Sequence, residues 1–328
     1  MVSGVRVSVV ICAYTMRRWD QLAEAVASVR GQTRPADELI VVVDYCETLQ
    51  ERAADALGPQ IQVLANTGPR GLSGARNTGV AAATGDVVAF LDDDATAEPD
   101  WLDVLCGHYA EPSVVGVGGL VVPRWEVAPP RWFPPEFGWV VGCSYTGQPR
   151  VTAVVRNPIG ANMSFRRDPV LAVGGFATSV GRVGADGVGC EETELSIRLA
   201  RHDREARILH EPGAAVHHLV PAERARWAYF RHRCWAEGLS KAEVSRLSDP
   251  RRALASERIY AFRTVPAGAA RDIAAAVRQR DPSRLARAVA GLAGLAVTAA
   301  GYLRGLTLNR RTETAALRPM TATTTGRS

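Results

Sequence analysis

Residues 71–95, GLSGARNTGVAAATGDVVAFLDDDA, decide the fold. A helical pattern of small residues starts at Leu72 and ends by Gly85. The run 86–91, apolar after Asp86, follows at once and stops at three carboxylates, Asp92, Asp93 and Asp94. Apolar residues on both parities of so short a run predict a strand buried on both faces. Upstream, 7–12, 39–43 and 61–64 have the same texture, with an amphipathic stretch around Leu22, Val26 and Val29 between the first two. This alternation predicts an α/β fold with a mostly parallel sheet covered by helices. Ligands of open parallel sheets gather beyond the carboxyl ends of the strands. Tyr14, Asp44 and the triplet all stand at such ends, which places the acidic groups on one rim.

Three consecutive carboxylates repel one another unless a cation or donors compensate. An all-oxygen set suits Mg²⁺ or Mn²⁺, which leave coordination places for phosphate. Extended chain would turn Asp92 and Asp94 to one side and Asp93 to the other. A solvated turn or a helix cap is the competing explanation.

Composition narrows the classes. The 328 residues are 47% apolar and 22% charged, which excludes wholesale disorder. Lys and Arg number 39 against 34 Asp and Glu, an excess of +5 too small to imply nucleic acid, and much of it falls between Arg224 and Arg258. Six cysteines without a CxxC pair speak against a disulfide framework or zinc site and for a reducing compartment. The apolar run 7–14 is short for a secretory signal. Residues 123–139 hold five prolines among aromatic residues and read as loop. A Gly-rich run covers 174–189, a helical pattern follows over 191–201, and 222–262 is helical and basic. Residues 288–303 are uncharged but fall short of the roughly 20 needed to span a bilayer, so a buried or membrane-surface helix is expected.

In order and spacing, VSVVICAY, ELIVVVD, GLSGARNTGVAAATGDVVAFLDDDA and GCEETELSIRLAR resemble the family-2 inverting glycosyltransferases of the GT-A fold over roughly residues 5 to 240. Within that family the chain is most similar to enzymes extending lipid-linked or cell-envelope glycans. The resemblance implies a GT-A, Rossmann-like catalytic domain over 1–220, with a nucleotide half to about 120 and an acceptor half beyond it. A helical basic and apolar extension over 221–306 and a flexible tail over 307–328 complete the expected organisation. It further implies a nucleotide-sugar donor (a UDP-sugar), a hydroxyl acceptor, and a cytoplasmic enzyme with peripheral contact at the inner face of the membrane.

The residues carry over as follows. Ala13 and Tyr14 line the nucleoside pocket, Asp44 contacts the base, and Arg76 lies near the nucleoside and diphosphate. Asp92 and Asp93 belong to the nucleotide-sugar contacts, Asp92 reaching the ribose, sugar or metal, and Asp94 ligates the Mn²⁺ or Mg²⁺. After Asp44 the family usually turns through Gly or Ser, where this chain has Tyr45-Cys46-Glu47. In Cys190-Glu191-Glu192 both glutamates are implied as catalytic, the second, Glu192, taking the place of the base and kept ionised by a helix N-terminus. A late histidine, His218 rather than His217, is the expected third ligand. Asn162 is either a donor or acceptor contact or a strand-end polar residue. The aromatic and basic run 227–235 suits an anionic membrane surface or a helix packed on the catalytic domain, and Arg231 or Arg233 a diphosphate. A sugar nucleotidyltransferase and a non-catalytic nucleotide or glycan module are the rival classes. The first wants a Gly-rich signature after the first strand, where Tyr14-Thr15-Met16-Arg17-Arg18 stands; the second tolerates loss of the base or triplet.

Overall fold

Alternate residues of the first strands enter two different cores. The computed structural model describes residues 4–178, 189–247 and 255–316. In β1 (Val7–Ala13), β2 (Glu38–Val43), β3 (Gln62–Ala65) and β4 (Val87–Asp92) the chain runs parallel, with β1 between β2 and β4. Val9, Ile11, Val41, Val43, Ala89 and Leu91 face one buried cluster; Val10, Ile40, Val42, Val88 and Phe90 face the other. These runs therefore have no solvent-facing parity, and each Val, Ile, Leu or Phe among them contributes about 1.5–3 kcal/mol on burial. The helices α1 (Trp19–Arg30), α2 (Glu47–Ala56) and α3 (Leu72–Ala82) supply the crossovers. In the first turn of α3 a Cβ on Gly74 would lie 1.9 Å from the Pro69 carbonyl oxygen, so only glycine lets the preceding loop pass.

The sheet continues through β5 (Ala95–Ala97), β6 (Val114–Trp125), β7 (Ala153–Val155), β8 (Asn162–Arg166) and β9 (Arg207–Val220), in the order β3-β2-β1-β4-β8-β6-β9-β5, with β7 beside β9. β8 is antiparallel to β4 and β6, and β5 is antiparallel to β9. Three further helices, α4 (Trp101–Gly107), α5 (Arg167–Ala172) and α6 (Glu191–His202), complete this part. Of the Gly-rich run expected over 174–189, residues 179–188 lie outside the described residues.

The stretch 123–139 is only partly loop, because β6 continues to Trp125 and a 3₁₀ helix covers Pro135–Val141. Its Trp132, Phe133 and Phe137 rings lie 5.2–5.8 Å from the ring of Phe230 on α7 (Trp227–Leu247). Phe230 is fully buried and stacks on Trp227, so that face of α7 is core, the packed-helix alternative for 227–235. Helices Ala255–Ile259 and Val265–Gln279, joined by a π-helical turn over Tyr260–Thr264, lead to a last helix over Pro282–Ala316. That helix is longer than expected at both ends of 288–303 and passes the boundary set at 306; residues 317–328 lie outside the described residues.

Asn162 is a correction to one expectation. Its side chain is 0% exposed; the amide donates to the Leu120 and Ala214 carbonyls at 2.9 and 2.8 Å and accepts from Trp101 Nε1 at 2.8 Å. Every polar group it has joins β8 to β6, β9 and α4, leaving nothing to offer a sugar. Asn162→Ala strands those partners in the core, and an unsatisfied buried group costs about 1–3 kcal/mol. Denaturant unfolding should therefore show a loss of about 2–4 kcal/mol, and a change below 1 kcal/mol would mean the site relaxes freely.

Candidate active site

Strand register builds the acidic rim. Cys12 of β1 pairs with Asp92 of β4, and the Asp44 amide donates to the Ala13 carbonyl at 2.7 Å, so the carboxyl ends of β1, β2 and β4 are level. β5 then pairs with β9, Ala95 opposite His218, and the Leu219 amide donates to the Asp94 carbonyl at 2.8 Å. This register delivers His218 Nε2 to 3.1 Å from Asp94 Oδ1. His217, on the opposite parity, instead meets Glu98 at 2.6 Å. One ligand atom each from Asp92, Asp94 and His218 lies within 4.8 Å of the others.

The alternation expected for the triplet fails in one respect. β4 ends at Asp92 and the chain turns at Asp93 and Asp94, so these two share a cation: Arg18 Nη1 lies 2.9 Å from Asp93 Oδ1 and 3.0 Å from Asp94 Oδ2. Arg224 Nη2 approaches Asp94 Oδ2 at 3.9 Å. Burial opposes ionisation of Asp94, yet His218 and Arg18 hold it well below the usual carboxylate range. Asp93 goes the other way, pushed up by burial and by Asp94, and its Oδ2 has no hydrogen-bond partner among the described residues. Asp93 is thus a buried partner of Arg18 and not an open sugar contact.

Arg76 also differs from expectation. Its guanidinium faces inward, 2% exposed, donating from Nη1 to Glu191 Oε1 at 2.7 Å and from Nη2 to the Gly160 carbonyl at 3.1 Å. Asp92 Oδ1 is 3.6 Å from Nη2. Arg76 therefore ties the end of β4 to the start of α6 and presents no free face to a diphosphate. Cys190, just before α6, adopts a left-handed φ of 84°, a costly conformation for a non-glycine residue that sets how the two glutamates enter the site. Glu192 is half-buried, and burial together with Glu191 pushes its pKa up to about 7. The helix N-terminus does not keep it fully ionised, because desolvation and a neighbouring carboxylate outweigh about half a unit of positive charge.

On the nucleoside side, Tyr14 is 45% exposed with the Arg18 guanidinium 5.5 Å over its ring. Ala13 is buried and contributes only its carbonyl, already taken by Asp44. The Asp44 carboxylate accepts from Asn66 Nδ2 at 2.7 Å and from the Gly71 amide at 3.0 Å, holding the loop that starts α3. Tyr45 takes the left-handed conformation, φ 51°, that Gly would adopt without strain, and its hydroxyl donates to the Gly68 carbonyl at 2.9 Å.

Sequence reading missed Arg18 and Arg224. Arg18 sits on a 3₁₀ turn, Met16–Arg18, whose Thr15 hydroxyl caps the Arg17 amide at 3.3 Å, and a capping Thr before two arginines was the available signal. Arg224 lies on the turn Ala222–Ala225 directly after β9, with no local signal of its own. Five carboxylates (Asp92, Asp93, Asp94, Glu191, Glu192) meet three guanidiniums here, so the rim keeps an excess of negative charge. Two carboxylates with an imidazole form an oxygen and nitrogen set that accepts Mn²⁺ or Mg²⁺.

Comparison with known proteins agrees with this geometry. The model of glycosyl transferase family 2 matches residues 8–174. Over 239 residues the chain is 41% identical to a glucosyl-dolichyl phosphate glucuronosyltransferase of Haloferax volcanii, covering 72% of this chain and 76% of that one. Among solved structures it is similar to the mannosyltransferase PcManGT of Pyrobaculum calidifontis, in complex with GDP-Man and Mn²⁺ (TM-score 0.61, 21% identity, 92% and 88% of the two chains). It is also similar to GalNAc-T7 with UDP, GalNAc and Mn²⁺ (TM-score 0.52, 16% identity, 79% and 55%). The chain belongs to glycosyl transferase family 2 and has the GT-A fold. It is a glycosyltransferase with a DxD-like site made by Asp92 and Asp94.

Manganese titration followed by electron paramagnetic resonance should detect a site that weakens at least about tenfold in His218→Ala, since even indirect partners of metal ligands change affinity by that much. Equal affinity in both proteins would remove His218 from the ligand set.

Proposed function

We propose that the chain is a metal-dependent, inverting transferase that moves a sugar from a nucleoside-diphosphate donor, UDP-linked in our reading, to a hydroxyl on a lipid-linked or envelope glycan. The observation that carries the proposal is the meeting of Asp92, Asp94 and His218 within 4.8 Å, joined through Arg76 to the Glu191-Glu192 pair. Residues 1–220 form the catalytic domain in this reading, followed by a helical extension from 221 that runs on past 306 to Ala316. The name of the Haloferax volcanii relative supports a lipid-phosphate-linked acceptor. The two similar solved structures hold Mn²⁺ with a nucleotide or nucleotide sugar, which supports both the donor class and the ion.

Glu192 removes the proton of the acceptor hydroxyl. The oxygen so freed attacks the anomeric carbon from the face opposite the nucleotide, the new carbon–oxygen bond forms as the bond to the diphosphate breaks, and the configuration inverts. Glu191, fixed by Arg76, holds the backbone at the start of α6 and raises the basicity of Glu192. Arg18 and Arg224, now on Asp94, are the guanidiniums assigned in this reading to the developing diphosphate charge. A divalent cation held by Asp92, Asp94 and His218 would neutralise the leaving diphosphate. Tyr14, exposed at the end of β1, and Asp44 beside it define the nucleoside end. A lipid-linked acceptor places the enzyme at the inner face of the membrane as a peripheral protein.

Two outcomes test the base. Glu192→Gln should lower transfer by about 10²–10⁴-fold while UDP binding, followed by calorimetry, stays near wild type; an active variant removes the assignment. A base must be ionised to work, so a group whose pKa stands at about 7 makes kcat/KM climb as pH rises through 7 and level off above it. A profile flat from pH 5 to 8, measured as UDP release with saturating Mn²⁺, contradicts Glu192 as that base.

A further inference from the structure

The helical hairpin over residues 265–308 carries a surface that nothing among the described residues covers. In the last helix, Leu285, Val289, Leu292 and Leu303 are exposed by 46–62% and recur at i, i+4, i+7 and i+18, a single stripe completed by Ala296 and Ala299. On the helix Val265–Gln279, which packs beside it, Ile273 and Val277 form a second exposed stripe, Val277 at 77%. The buried residues of that helix (Val265, Gly268, Ala269, Asp272 and Ala275) lie away from this stripe, against the protein. Both helices therefore turn aliphatic side chains outward, where a soluble surface helix turns charge.

The charge around these stripes is one-sided. Residues 259–308 hold seven arginines and two aspartates, an excess equal to the +5 of the whole chain. Both aspartates are already engaged, Asp272 with Arg284 and Arg287 at 3.7 and 3.8 Å and Asp281 with Arg131 at 3.1 Å. Arg263, Arg278, Arg280 and Arg304 remain exposed. Two copies brought face to face would oppose like charges, whereas an anionic lipid surface offers complementary charge and an apolar interior together.

Among the described residues, Pro282–Leu308 is the one helix long and apolar enough to cross a membrane. Its other face, however, is fastened to α7: a Cβ on Gly238 would lie 2.2 Å from the Thr298 carbonyl oxygen, and one on Gly301 would lie 2.4 Å from that of Trp235. α7 carries the Lys241 ion pairs with Glu237 and Glu257 at 3.1 and 2.7 Å, which cannot follow the helix into hydrocarbon. We infer that the hairpin 265–308 docks flat on an anionic bilayer, its aliphatic stripes in the acyl boundary and its arginines among the headgroups.

The docked face reaches the rim through one layer. Arg271 pairs with Glu136 at 2.9 Å, the Tyr260 hydroxyl donates to the Glu136 carbonyl at 2.9 Å, and the same 3₁₀ helix leads to Gly142, whose Cβ position is 3.3 Å from the His218 ring. Docking would thus hold a lipid-borne acceptor beside the candidate metal site. That consequence rests on the function proposed above, whereas docking itself is measured without any transfer.

The test is flotation of the full chain with phosphatidylcholine vesicles, with and without phosphatidylglycerol. The wild type should float with the anionic vesicles and far less with the neutral ones, and come off in high salt. Val277→Asp/Val289→Asp should bind at least about tenfold more weakly, each substitution forfeiting burial of an aliphatic side chain, with unchanged circular dichroism and UDP release. Arg278→Gln/Arg280→Gln, at exposed positions that cannot disturb the core, should lose the preference for anionic vesicles. Binding unaffected by either variant, absence of wild-type flotation, or retention after carbonate washing overturns flat docking. So does a wild-type dimer in sedimentation that the aspartate variant converts to monomer.

Discussion

Carboxylates gathered on one sheet edge repel one another in a medium that screens poorly, and the structure around this rim is arranged to offset that repulsion. Arg18 bridges Asp93 and Asp94, Arg76 joins Asp92 to Glu191, and His218 and Arg224 close on Asp94. The compensation is incomplete, and the upward shifts of Asp93 and Glu192 are its physical sign. In the proposed chemistry a divalent cation would offset the remaining negative charge at Asp92 and Asp94, and Glu192, raised toward neutrality, would serve as the base.

The buried Arg76–Glu191 pair shows how fold and chemistry share parts. A buried ion pair is a poor source of net stability, since desolvation consumes much of the Coulomb gain, yet removing one partner leaves an uncompensated charge. Its use here is geometric. α3 and α6 are far apart in sequence, and the 2.7 Å contact fixes where α6 starts, and with it Glu192, relative to the end of β4.

Much of this was legible in the sequence because it is local. Continuous apolar runs gave the parallel strands, and their carboxyl ends placed Asp44, Asp92 and Asp94 together. What escaped reading depended on contacts between distant segments. Whether Arg76 points inward is decided by Glu191, 115 residues away, and the roles of Arg18 and Arg224 depend on Asp94. His218 separates from His217 only through the pairing of β5 with β9. Asn162 read equally as a sugar or acceptor contact and as a strand-end polar residue, because the two differ only in the backbone carbonyls it serves. The exposed side of the last helix needed its packing against α7 to be seen first.

The central claim is that segments distant in sequence meet to hold one cation against a diphosphate. Anomalous diffraction at the manganese edge, from crystals grown with Mn²⁺ and UDP, measures this directly. The account predicts a single strong peak within coordination distance of Asp94 and His218 Nε2, with the UDP phosphates on its open side. A peak elsewhere, or nucleotide bound with Asp94 still closed off by Arg18, would contradict it.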